Sequence, residues 1–550
     1  MTLTPDPGAL LLPYRETARN GAPRLRVGVV LDPGPPSPWA DELLAFLRKI
    51  PCFEVCALTL AVPGRAELQR PAWLMDRLYA ASRARFDPLG DAALPAGEGA
   101  ATPESVAAIR AAGCGAIVWL ARCQHLEAEA GGLATHGVFT VRFGDGHRAI
   151  PFWDEVAGSR LTSTATVYWH DASLADGRAA ATAEASTFQG LFLTFNAEQP
   201  LVGAIRLLAG LCLEIQTGGA GFERRLRALP VQRLPDPAPC HFPSNLEAAR
   251  FAVGKLVRSA YLRWRTRGMQ AHWFIAMRAN RGGSITDPAR MDLAGFQPIP
   301  LPPGVGAMAD PFPWEAGGRQ YLLFEEVPAG QTRGRLASVE VLPDGSCAGR
   351  QIVLERPYHL SYPCIVASGG ELFLLPETSE ARRIDLYRFR RFPGDVELVA
   401  SPVEGTGLND TTPVFVDGRW YFFTTTDPFM ETVLFSAERL EGPWSLHPAS
   451  PISTSVRSCR SAGHLFWRDG RLFRPTQDCS VRYGYAINVN EVTRLTPCEF
   501  EERPASHVPP SWAGGLIGTH TWNESSGWQA IDGLRMGAWP AVRPIRAMVY

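Results

Sequence analysis

Four strings decide the fold: GGRQYLLFEE (317–326), GGELFLLPET (369–378), DGRWYFFTTT (417–426) and DGRLFRPTQD (469–478). Each opens on a Gly-Gly or Asp-Gly pair, the chemistry of a tight hairpin turn, and runs into aromatic and aliphatic residues suited to a strand. Their second glycines fall at 318, 370, 418 and 470, at intervals of 52, 48 and 52 residues. Four-stranded propeller blades recur at this period. One more blade fits from about His520 to the C-terminus, closed by the strand AHWFIAMR that starts at Ala271. Residues 271–550 are therefore expected to form an all-β five-bladed β-propeller.

The repeat also says where chemistry is to be sought. Residues about eight before each glycine and about seven after it lie at the same end of their blade. The first column reads Asp310, Tyr362 with Pro363, Asp410 with Thr411, and Arg460 with Ser461; the second reads Glu325 with Glu326, Glu377, Thr425, and Gln477 with Asp478. Inner-strand ends converge on the central channel, so these side chains are expected to meet there. Several carboxylates at one channel mouth suit glycoside chemistry, in which one carboxyl is held protonated and another ionised. Asp310, Glu377 and Asp410 are the catalytic candidates. Trp314, Tyr362, Arg460, Arg474, Gln477, Asp478 and His520 are the substrate-binding candidates, with Arg and Gln suited to sugar hydroxyls or an anionic group. Glu325 and Glu326 compete for one place, and one of them is expected to be solvated. Asp344-Gly345, Asp417-Gly418, Asp469-Gly470 and Asp532-Gly533 are read as turns without a catalytic role.

Upstream the pattern changes. RLRVGVVLD (24–32) reads as a buried strand, Pro38 to Ile50 as a helix opened by Ser37, FEVCALTL (53–60) as a second strand, and GAIVWLA (115–121) and GVFTVRFG (137–144) as two more. Strands alternating with helices predict a Rossmann-like α/β domain over 24–233, mostly parallel, after an N-terminal extension of 1–23. Neither a G-x-G-x-x-G turn nor a Walker loop occurs, so nucleotide cofactors are not expected. The Pro-rich string PDPAPCHFPSN (235–245) and a basic helical segment, Leu246 to Arg267, form a linker region over 234–270. Tyr261 and Trp264 interleave with Arg258, Arg263, Arg265 and Arg267; the expectation is a charged face whose aromatic side packs on a neighbouring domain, with nucleic-acid or membrane contact the lesser alternative.

Composition narrows the partners. With 54 Lys and Arg against 55 Asp and Glu, the net charge of −1 offers no general attraction for nucleic acid. Eleven Cys, of which only Cys52 and Cys56 are closely spaced, suggest free thiols in a reducing compartment rather than a metal or disulfide framework. The first residues lack the basic and apolar regions of a signal peptide, and Leu201 to Ile215 is too short for a transmembrane span and carries Arg206. A cytoplasmic location is the resulting expectation.

Residues 272–550 resemble the N-terminal domain of plant glucosamine inositolphosphorylceramide transferases and its bacterial relatives, through MADPFPWEAGGRQYLLFEE, HLSYPCIVASGGELFLLPETS, NDTTPVFVDGRWYFFTT and RSAGHLFWRDGRLFRPTQDCSVRYGYAINV. That domain is similar in turn to five-bladed glycoside hydrolases acting on arabinosides and fructosides. The resemblance implies a base or nucleophile at Asp310. It implies an Asp in the second blade and a Glu in the third, where this chain has Tyr362-Pro363 and Asp410, which leaves Glu377 as the substitute acid. Some relatives hold a central cation beside a last-blade His, a place His520 resembles; no other cofactor is implied. The first half resembles a divergent formyltransferase domain through HGVFTVRFGDGHRAIPFWDEV and SLADGRAAAT, which makes Asp145, His147 and Asp176 candidates. No Asn precedes a His at the family's spacing, and Ala175 stands where its catalytic Asp belongs, so the fold is expected without the activity.

Three functions follow as alternatives: a carbohydrate-active enzyme of bacterial glycan or glycoconjugate metabolism, a non-catalytic glycan-binding propeller serving a transferase, and an N-formyltransferase acting on a nucleotide-linked amino sugar.

Overall fold

The computed structural model describes residues 23–60, 72–88, 102–121, 132–144, 150–171, 176–218, 220–234, 242–282, 285, 293–426 and 431–537. The chain divides into two compact units, 1–262 and 263–550.

In the first unit, β1 (Leu25–Leu31), β2 (Phe53–Thr59), β3 (Ala116–Trp119) and β4 (Val138–Phe143) run parallel, in the order β2-β1-β3-β4. Helix α1 (Pro38–Arg48) starts after Ser37 with Pro38 at its first position and buries Leu43, Leu44 and Leu47. Helices α2 (Trp73–Arg83) and α3 (Pro103–Ala111) follow, and Thr102 caps α3 by accepting from Ser105 N at 3.2 Å. The sheet then departs from the mostly parallel expectation. Beyond α4 (Trp153–Ala157), β5 (Thr162–His170), β6 (Asp176–Ser186) and β7 (Gln232–Arg233) extend it antiparallel, giving a mixed seven-stranded sheet. TSTATVYWH buries alternate residues, the mark of a strand with one face on a core. That core includes α5 (Glu198–Gly218), on which Leu201, Leu208 and Cys212 are fully buried; α6 (Ala220–Ala228) follows. No helix among the described residues is long and apolar enough to cross a membrane.

The basic helix α7 spans Asn245–Arg265. Its first half belongs to the first unit and not to a free linker: Ala248 and Phe251 join Met75, Trp153 and Leu193 in one cluster, with Phe251 5.1 Å from Trp153. Its aromatic side is not buried, Trp264 being 74% and Tyr261 51% exposed.

The second unit is a five-bladed propeller. Blade one comprises strands 305–316, 319–328, 335–341 and 347–354; blade two 361–368, 371–377, 383–391 and 395–404; blade three 408–416, 419–426, 431–437 and 445–446. Blade four contains 460–461, 466–468, 471–478, 486–495 and 500–508. Blade five joins 516–518, 522–524 and 528–537 to the sequence-distant strands 270–279 and 297–298, so the circle closes where Trp528–Gly537 pairs with Gln270–Ala279. At the four repeat turns both central residues have positive φ: Gly317 and Gly318, Gly369 and Gly370, Asp417 and Gly418, Asp469 and Gly470. That is the requirement of a two-residue hairpin turn, which explains the recurrence of Gly and Asp there.

Consecutive apolar residues in these strands serve two cores. Phe422 packs with blades one and two, whereas Phe423 on the opposite face packs with Leu472 and Val492 of blade four. Each blade is sandwiched, so alternation gives way to runs such as YLLF and WYFF.

Candidate active site at one mouth of the channel

Blades one, two and three share one irregularity. The register of the inner pair jumps between Ala309 and Phe312, between Ser361 and Cys364, and between Asn409 and Thr412. The residue that opens each bulge is left-handed: Asp310 at φ 50°, Tyr362 at 46° and Asp410 at 50°. Non-glycine residues held there store strain, which bulges beside functional sites use to re-aim a side chain or an amide. Here each bulge serves its neighbour. Asp310 N donates to Asp532 Oδ2 of blade five at 3.3 Å, and Tyr362 N donates to Asp310 Oδ2 at 3.1 Å. The Tyr362 hydroxyl then meets Thr412 Oγ1 of blade three at 2.8 Å and accepts from Gly463 N of blade four at 2.9 Å.

In blades one to three the second column pairs with the residue just before each bulge, Ala309 with Glu325, Ser361 with Glu377 and Asn409 with Thr425, and in blade four Arg460 itself faces Gln477. Asp410 accepts from Arg460 Nε at 2.6 Å and from Gln477 Nε2 at 3.2 Å. Glu377 accepts from Ser361 Oγ at 2.9 Å and Ser379 Oγ at 2.5 Å, and its Oε2 lies 3.8 Å from Arg460 Nη2. Glu325 Oε1 is 3.4 Å from His359 Nε2. Arg460 also stacks over Tyr483 at 5.0 Å. The cluster therefore brings four carboxyl groups from three blades together, Glu377 and Asp410 around the Arg460 guanidinium and Asp310 beside His520, with Asp310, Glu377 and Asp410 all buried.

Burial and mutual repulsion leave Asp310, Glu325 and Asp410 reluctant to ionise. Burial pushes Asp410 up to about 7, although Arg460 opposes it. Burial, then the neighbouring Asp310, pushes Glu325 well above the ordinary range. Asp310 is raised by burial, with His520 pulling the other way. His520 is disfavoured as a cation by burial, but the carboxylate of Asp532, which it bonds through Nδ1, holds it up to about 9. The His520 ring stacks on Trp273 at 4.0 Å and meets the Tyr483 edge at 5.6 Å.

Asp310, His520 and Asp532 bring ligand-type atoms within 4.8 Å of one another. They do not fit a resident cation. A metal needs a neutral imidazole nitrogen and open carboxylate lone pairs. Asp532 Oδ1 already accepts from His520 N and Thr521 N, Asp532 Oδ2 from Asp310 N and the imidazolium, and Asp310 from Thr521 Oγ1 at 2.6 Å and Tyr362 N.

Several candidates stand elsewhere. Arg474 is fully buried against Glu502, donating at 2.8 Å and 2.6 Å, and it donates to Ser458 O at 3.0 Å. Asp478 accepts from Ser480 N at 2.9 Å and faces Arg457 at 3.4 Å. Strand alternation separates both from Gln477. Trp314 lies past the bulge towards the hairpin, 6.3 Å from His464, and packs on the core of blades one to three. Glu326 is not solvated: it is fully buried between Arg335 and Arg350. Asp532 is not in a turn but mid-strand and central, concealed by its Asp-Gly context. Tyr483 and Trp273 fall outside the repeat columns and carry no sequence signal. In the first unit, Asp145 and His147 lie outside the described residues, and Asp176 opens β6, paired with Arg233.

Residues 303–542 match the family model described as "Glucosamine inositolphosphorylceramide transferase 1, N-terminal". Zg3597, a family 117 glycoside hydrolase of the marine bacterium Zobellia galactanivorans, is 13% identical with a TM-score of 0.32, over 48% of this chain and 90% of that one. The α-L-arabinanase of Cellvibrio cellulosa complexed with arabinohexaose is 11% identical with a TM-score of 0.28, over 36% and 78%. The curated protein glucosamine inositolphosphorylceramide transferase 1 of Oryza sativa subsp. japonica is 30% identical over 246 residues, 43% of this chain and 32% of that protein. Its counterpart from Arabidopsis thaliana is 29% identical over 249 residues, 44% and 32% respectively. The chain thus spans about a third of the length of the plant relatives it matches.

Proposed function

We propose that the channel mouth performs acid-base chemistry at the glycosidic bond of a sugar or glycolipid. One observation carries this reading: Asp310, Glu325, Glu377 and Asp410 converge from three blades with too few cations to ionise them all. Such a site holds a proton donor and a carboxylate side by side at neutral pH, the pairing glycoside chemistry requires. Asp410, pushed up to about 7, gives its proton to the departing glycosidic oxygen. Asp310, supplied with hydrogen bonds by Thr521 and Tyr362 and facing the His520 cation, acts as base or nucleophile towards the anomeric carbon. Glu377, the nearby carboxyl of blade two, helps to hold Asp410 protonated, and Arg460 and Gln477 orient Asp410.

The plant relatives are named for glucosamine and inositolphosphorylceramide, so conjugates of either are the first ligands to try. A screen of these and of aryl glycosides with wild type, Asp310→Asn and Asp410→Asn tests the proposal. Turnover that disappears in both variants is expected; turnover that survives in both would overturn it. Binding without turnover by the wild type would favour the glycan-binding alternative, which the nearly complete enclosure of Asp310 supports. The formyltransferase alternative gains no support from Asp176, whose backbone pairs with Arg233.

A further inference from the structure

Helix α7 has two opposed faces. Phe251 and Lys255 point inward, and Lys255 donates to Gln189 Oε1 at 3.0 Å. On the other side Leu246, Val253, Val257 and Trp264 are spaced by seven, four and seven residues, which sets them in one line along the helix. They are 60%, 59%, 62% and 74% exposed. Burying Leu246, Val253 and Val257 is worth roughly 25 cal/mol per Å² of apolar area, so the exposure of these three calls for an occupant.

Charge identifies the occupant. Around the stripe stand Arg250, Arg258, Arg263, Arg265 and Arg267, all exposed, against Glu247, whose carboxylate is held by Ser244 N and Oγ at 2.9 Å. This segment is strongly basic in a chain of net charge −1. A second copy laid on the stripe would oppose like arginines. A nucleic acid would meet the arginines but gives no use for Leu246, Val253 and Val257. An anionic bilayer surface takes both: apolar side chains enter the headgroup boundary while long cationic side chains reach the phosphates, with Trp at the interface. We infer that α7 is an interfacial anchor that lays its Leu246, Val253, Val257 and Trp264 face on an anionic lipid surface. The inference stands apart from the glycan reading, because vesicle binding and glycoside turnover are separate readouts.

The test is flotation of the full chain with phosphatidylcholine vesicles, with and without phosphatidylserine. Binding is expected only with phosphatidylserine and should fade as salt shortens the screening length to about 3 Å near 1 M. Arg258→Gln with Arg265→Gln should weaken partitioning about 30-fold, from ~1 kcal/mol for each arginine at the surface. Val253→Asp with Val257→Asp should abolish it, while thermal unfolding stays unchanged because all four positions are exposed. No partitioning above the phosphatidylcholine control would overturn the inference, as would partitioning indifferent to both double variants. Stripe-dependent self-association or oligonucleotide binding without vesicle binding would overturn it too.

Discussion

Glu325 and Glu326 are consecutive residues of one strand, and the protein treats them in opposite ways. Glu326 faces the packing between blades, fully buried, where Arg350 and Arg335 hydrogen-bond it and hold it below the ordinary carboxylate range against the push of burial. Glu325 faces the channel mouth, among carboxyls that repel its ionisation. The same contrast runs through the propeller. Blade faces pair their buried charges closely, as in Arg474 with Glu502 and Arg383 with Asp385, whereas the mouth sets Asp310, Glu325, Glu377, Asp410 and Asp532 against Arg460 and His520. Buried charge on the blade faces is matched, and buried charge at the mouth is left in excess, the pattern that the proposed chemistry requires.

The largest effect should separate the two places outright. Asp310→Asn and Asp410→Asn are expected to lower turnover of a responsive glycoside by roughly 10²- to 10⁴-fold, and Glu325→Gln by far less. In the same assay Glu325→Gln should keep its unfolding free energy within about 1 kcal/mol, since it replaces a carboxyl already kept neutral. Equal losses of stability at 325 and 326 would erase the distinction. Glu326→Gln removes the charge that Arg335 and Arg350 share and should cost about 1–3 kcal/mol in denaturant unfolding, with turnover per folded molecule unchanged. Arg474→Met should cost about 1–3 kcal/mol and leave ligand affinity untouched, because its partners lie on the blade face; altered affinity would restore Arg474 to the site.

The smallest effect is a slope. His520 is raised from 6.5 to about 9 in the folded protein, so its contribution is complete below pH 6.5 and is lost as pH climbs through 9. Asp410, raised from 3.8 to about 7, acts in the same sense at lower pH: the folded state holds its proton more tightly, and stability falls as pH rises through 7. Melting temperature should therefore decline from pH 4 to 9, by about 2–4 °C per kcal/mol for a unit of this size. His520→Asn should flatten the upper part of that decline, and an unchanged slope would assign the effect elsewhere.

The repeat made the propeller legible because a blade turn demands positive φ, and Gly and Asp advertise it at 318, 370, 418 and 470. Counting from those turns locates Asp310, Glu377, Asp410, Arg460 and Gln477, since strand pairing converts sequence offset into height along the channel. It fails by one residue at Asp478 and by three at Arg474, where alternation sends the side chain to the other face. Asp532 was hidden for a different reason. Asp-Gly is a turn signal in isolation, and only the ladder to Gln270–Ala279 makes it a strand interior. Tyr483 and Trp273 reach the mouth from outside the columns, so no offset predicts them. In the first unit β1 to β4 are visible as continuous apolar runs, whereas the antiparallel β5 and β6, with their small polar residues, give a weaker pattern.

The blade-to-blade bonds at the mouth tie the site to the order in which the chain is made. Asp310 is held by Thr521 and Asp532, which are synthesised more than two hundred residues after it, and the blade carrying them is complete only when it docks on the early strand Gln270–Ala279. A nascent or truncated chain ending before Thr521 holds nearly all the acidic groups but lacks the Thr521, His520 and Asp532 contacts that fix Asp310. The surroundings of Asp310 are thus completed only when the last blade is in place.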